Sequence, residues 1–96
     1  MKMIFKKDKV TGEIVAFFPY EFATWQGDFM CYAHNGQHGC ADYRYYLDCK
    51  KATKDEYKDL YNELKFIGYD IEIIQKINGQ KFRTAYNDFM AKRKAI

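Results

Sequence analysis

The chain has three cysteines, an odd number that argues against a disulfide framework, and no Cys-x-x-Cys pair to start a zinc knuckle. No apolar run after Met1-Lys2 has the makings of a signal segment, and none approaches the length of a membrane span. A reducing cytoplasm and no membrane are therefore expected. The net charge of +3 is too small to declare a nucleic-acid binder by itself. Repeats, linkers and low-complexity tracts are missing, so residues 1–96 are read as one domain. With 48% hydrophobic and 30% charged residues, disorder is excluded as well.

What the chain has in excess is aromatic side chains, nine Tyr and eight Phe among them. A core of this size cannot hide all of these rings, so some should line a pocket or an interface, and homo-oligomerisation is expected. Charge is unevenly spread. Residues 20–49 carry Glu21, Asp28, Asp42 and Asp48 against Arg44, whereas Lys81, Arg83, Lys92, Arg93 and Lys94 face Asp88 alone near the end.

Residues 3–7 and 13–18 read as a hairpin around Gly12, with Pro19 ending the second strand. A loop over 20–27 follows. Residues 28–34 and 43–49 alternate, which predicts a second hairpin whose long polar loop is 35–42. Thr53-x-x-Glu56 is a capping box, and Tyr57, Leu60, Tyr61, Leu64 and Ile67 follow at helical spacing up to Gly68. Residues 69–77 read as a strand and Asn78-Gly79 as a turn. Phe82, Ala85, Tyr86, Phe89 and Met90 repeat as a helix does. The expected fold is α+β in the order β-β-β-β-α-β-α, a mainly antiparallel sheet with helices on one face.

Both histidines and two of the cysteines fall within residues 32–43. This run, Tyr-x-His-x-Gly-Gln-His-x-x-Ala-Asp-Tyr, resembles a segment of small uncharacterised proteins from phages and mobile elements of gut bacteria. So does the pattern Ala52-Thr53-x-x-Glu56-Tyr57-x-x-Leu60-x-x-Glu63-Leu64-x-x-x-Gly68-Tyr69. The resemblance covers roughly residues 3–74 and implies no established activity. A mobile-element origin implies interference with host defence, since such genomes are rich in small inhibitors and signal-sequestering proteins.

Cys31, His34, His38 and Cys40 supply zinc-like donors, but the spacing C-x₂-H-x₃-H-x-C is not a standard one, so no metal and no cofactor are expected. His34, His38, Cys40 and Asp42 hold the groups of a His-dependent hydrolase without a recognisable catalytic motif. The basic end offers a nucleic-acid-binding helix, or else a solvated helix terminus. Exposed aromatics would equally suit a module that inhibits another protein, such as one of a host. The preferred reading is a non-enzymatic binding protein for a small nucleotide-like ligand. Glycines 36 and 39 let backbone N–H groups approach an anion, and Arg44 adds a fixed charge. The candidate contacts are Tyr32, His34, Asn35, Gln37, His38, Asp42, Tyr43, Arg44 and Tyr46, with the tyrosines stacking on a base.

Overall fold

The computed structural model describes residues 1–33 and 37–94. Its elements are β1 (Lys2–Lys7), β2 (Ile14–Phe22), β3 (Phe29–Ala33), β4 (Gln37–Ala41), α1 (Tyr43–Asp48), β5 (Lys50–Lys51), α2 (Lys54–Ile67), β6 (Glu72–Ile73) and α3 (Gly79–Lys94). The fold is α+β. The sheet runs in the order β4-β3-β2-β1-β5 with every one of those pairs antiparallel, and β6 adds to β1.

The first hairpin is set by Asp8. Its carboxylate accepts from the N–H groups of Val10 and Thr11 at 2.8 and 3.0 Å, and its carbonyl accepts from Gly12 N–H. Gly12 closes the turn at φ 76, a conformation that a Cβ penalises. The turn fixes the register Lys7↔Ile14 through Ile4↔Phe17.

That register separates two cores. Met3, Phe5, Ala16, Phe18 and Tyr32 lie on one face beneath Leu60 and Leu64 of α2. Ile4, Val15, Phe17 and Phe29 lie on the other with Tyr46, Cys49 and, from α3, Phe82. The helices therefore cover both faces, where one was expected. The unbroken apolar run in β2 is the mark of a strand buried on both sides.

Three local expectations are corrected. Pro19 does not end β2, which continues to Phe22. It sits where the register jumps from Phe18↔Met30 to Phe22↔Phe29, so its missing N–H removes no ladder bond. Residues 43–49 do not form a strand, and much of the supposed 35–42 loop does. Gln37–Ala41 pair with β3 from Ala33↔Gln37 to Phe29↔Ala41. Asp42 then starts α1, its carboxylate accepting from Tyr45 N–H at 2.7 Å. Only Glu72–Ile73 of the 69–77 segment are strand, and they run parallel to β1. β1's outer edge is divided between β6 near its start and β5 near its end, which keeps β6 short.

The capping box forms as expected. Thr53 Oγ1 accepts from Glu56 N–H, Glu56 Oε1 accepts from Thr53 N–H, and Gly68 ends α2 at φ 122. The expected terminal helix is α3. Asn78, read as part of a turn, instead caps it by accepting from Lys81 N–H at 3.0 Å. Glu56 also pairs with Lys7 at 2.6 Å, tying α2 to β1.

Leu64 is fully buried, so Leu64→Ala should cost about 2–5 kcal/mol in urea unfolding, the range for a buried Leu that leaves a cavity. Lys7 and the cap hold the Glu56 carboxyl down at about 2. A lowered carboxyl stabilises the fold fully above its unfolded value near 4.5, and that stabilisation disappears as pH falls towards about 2. Glu56→Gln keeps a capping-box side chain and loses the ion pair. Its circular dichroism midpoint should fall below wild type at neutral pH and converge with it in acid.

Candidate ligand-binding groove

The sheet divides the residues singled out from the sequence. Tyr32 is buried in the α2-side core, and its ring meets that of exposed His38 edge-on at 4.8 Å. His38 Nε2 and the Tyr69 hydroxyl share a hydrogen bond of 2.7 Å, and Phe18 packs beside both rings. Tyr43 and Tyr46 stand on α1, with Tyr46 in the opposite core. Arg44 is exposed on α1, and the Asp42 carboxylate is engaged as its cap. Gln37 occupies the first position of β4, opposite Ala33. His34 and Asn35 lie outside the described residues. The geometry thus brings Tyr32 and His38 together on one face, and Tyr43 and Tyr46 together on the other.

On the α1 face the two tyrosines border a groove of about 340 Å³, lined also by Lys6, Lys51, Lys76, Leu47 and Gln75. Lys6 forms its floor. The Lys6 ammonium donates to the carbonyls of Tyr46 and Cys49 at 2.9 and 3.4 Å and lies 3.9 Å from the centre of the Tyr46 ring. It thereby satisfies carbonyls at the end of α1. Burial pulls the Lys6 amine below its ordinary range, although Cys49 opposes this.

The lysines meet because of strand pairing. Lys6 lies opposite Lys51 and Lys7 opposite Lys50, like charges that repel when directly paired. Among the described residues the ion pairs are Lys2–Glu72 and Lys7–Glu56. Lys51 and Lys76 are left facing the groove without a carboxylate partner among the described residues. Sequence reading missed these cations, since it sought charge near the polar run and at the basic end. The available signal was two Lys-Lys doublets, 6–7 and 50–51, whose convergence depends on β1 pairing with β5.

Among the described residues neither imidazole nor carboxylate lines the groove, which offers cations, an amide and aromatic faces. Tyr43 is 44% exposed and tilts against Tyr46 at 5.8 Å, leaving ring surface open for stacking. The α1 anchor is completed by the Tyr45 hydroxyl, which donates to the Asp8 carboxylate at 2.7 Å. The Tyr45 phenol is pushed up, first by burial and then by that bond. The Asp8 carboxyl is lowered, chiefly by the Thr11 N–H it accepts.

Elsewhere, Cys31 is partly buried, Cys40 exposed and Cys49 buried, and the described residues contain no cluster of three or more His, Cys, Asp or Glu suited to a metal ion. On α3, Phe82, Tyr86 and Phe89 pack around Phe22, while Arg93 reaches over the Trp25 ring. No helix among the described residues is long and apolar enough to cross a membrane. In comparisons with known proteins, the chain matches no family model, no curated protein and no solved structure.

Lys6 is both floor and fastener, so Lys6→Met should loosen the groove before any ligand is considered. Removing the donor from two carbonyls at a partly exposed helix end should cost about 1–2 kcal/mol in denaturant unfolding. Hydrogen exchange should quicken first at the amides of residues 46–49.

Proposed function

We propose that this protein is a non-enzymatic binding module that holds a small nucleotide-like anion in the groove between β1, α1 and residues 75–77. One observation carries the reading: Lys51 and Lys76, both without carboxylate partners among the described residues, share the groove with Lys6, Tyr43 and Tyr46. Cations without local counter-charge suit a phosphate, and an open tyrosine ring beside them suits a base. A groove of about 340 Å³ lies at the small end of ligand sites, which matches a mononucleotide better than a longer polymer.

Two further observations rank this reading above its rivals. On α3, the aromatics that a nucleic-acid helix would offer for stacking are engaged with Phe22, which weakens the case for that helix as the main binding element. Hydrolysis lacks support in the groove, since His38 lies on the other face of the sheet. In a phage or mobile element, the origin that the residue pattern implies, such a module would act by sequestering a host nucleotide signal.

Thermal-shift screening of mononucleotides and cyclic nucleotides, followed by calorimetry on hits, tests the reading. Lys51→Ala and Lys76→Ala should each weaken binding about tenfold or more, the effect of losing a hydrogen bond from a charged donor. Tyr43→Ala should weaken nucleotides but leave inorganic phosphate nearly unchanged. Binding that survives the double lysine variant, or a screen without any stabilising nucleotide, would overturn the proposal.

A further inference from the structure

The two edges of the sheet are built differently. At one end stands β5, a strand of two lysines already facing Lys6 and Lys7. Charge and brevity guard that edge against pairing with another strand. At the other end stands β4, Gln37–Ala41, with the sequence Gln-His-Gly-Cys-Ala. It has neither Lys, Asp, Glu nor Pro, and its register with β3 is regular along all five positions. His38, Gly39 and Cys40 are exposed, and no strand among the described residues pairs with the outer side of β4. The charge, proline and bulge that commonly protect an edge are absent from β4.

We propose that β4 pairs with β4 of a second copy of this chain, antiparallel about a two-fold axis, to make one continuous sheet across a dimer. Charge selects the copy as the occupant. A strand set against itself places like residues near one another, which is costly when those residues are charged. β4 carries no Lys, Arg, Asp or Glu, so self-pairing sets no such charge against its like in any register. A foreign peptide added to an edge gains specificity from pockets for alternate side chains. Gly39 and Ala41 build none, and main-chain hydrogen bonds do not discriminate against a copy. The Lys6–Lys51 groove lies at the far end of the sheet and stays open in such a dimer, so this inference stands apart from the ligand reading.

A single strand pair buries less than a standard interface, so the dimer should be weak, with a dissociation constant of about 10–100 µM. Sedimentation velocity under reducing conditions, from about 5 µM to about 1 mM protein, should show the 11.5 kDa chain approaching twice its mass. Cys40→Lys sets like charges near each other across the axis and should weaken association at least tenfold. Because Cys40 is exposed, its thermal midpoint at low concentration should match wild type. Cys40→Ser should dimerise as wild type does, separating strand pairing from disulfide linkage. A monomer throughout the range, a dimer indifferent to Cys40→Lys, or a dimer abolished by Cys40→Ser would each overturn the proposal.

Discussion

The β1–β2 pair is buried on both faces, and the rest of the structure follows from covering it. Successive residues Met3, Ile4 and Phe5 go to alternate cores, as do Val15, Ala16, Phe17 and Phe18. Leaving either face open would expose several large side chains, each contributing about 1.5–3 kcal/mol when buried. One helix with a clean apolar stripe covers one face, and α2 does so with Leu60 and Leu64. The other face has no helix of that quality beside it. It is covered by the short α1, which sets Tyr46 edge-on against Phe17 at 5.3 Å, and by Phe82 of α3, which meets Phe29 at 6.0 Å.

That division explains which elements were legible in sequence. The α2 helix announces itself because its cap, its period and its terminal glycine agree, and each is local. The α3 period is equally local. Residues 43–49 mislead because Tyr43, Tyr45 and Leu47 satisfy a period of two, while Tyr43 and Tyr46 also satisfy the three-residue spacing of a helix. What decides between them is Asp42 as a cap and the need of Phe17 and Phe29 for cover, and the second of these is a tertiary fact. Pro19 misleads in the same way. Proline is excluded from a regular ladder, but whether it lies at the end of a strand or in a bulge depends on the partner strand.

The site was legible in part for a related reason. Tyr43 and Tyr46 were singled out as stacking planes beside a charge, and both border the groove. The charge anticipated for them was Arg44, which is exposed on α1. The cations that do meet them are distant in sequence and arrive through β1, β5 and the segment after β6. His38 and Tyr32 were grouped with those tyrosines because a hairpin over 28–49 would have put them side by side. Once Asp42 turns the chain into α1, the sheet stands between the two pairs. A reading by local proximity cannot see across a sheet.

The lysine pairing costs stability that the fold recovers only in part. Lys7 is compensated by Glu56, and Lys6 by two carbonyls and the Tyr46 ring. Lys50 and Lys51 are not compensated by any carboxylate among the described residues. A short strand of two lysines adds little hydrophobic burial to offset their repulsion. Its position is held by backbone pairing to β1 and by the caps on either side, Cys49 N–H to Tyr45 carbonyl before it and the Thr53 box after it. An anion bound at Lys51 would relieve that repulsion and stabilise the folded chain by mass action. The concentration of positive charge at β5 and its absence from β4 therefore have one consequence in common. They separate the two ends of a small sheet: on the proposed readings, one end takes an anion and is guarded by charge against another strand, while the other pairs with a strand.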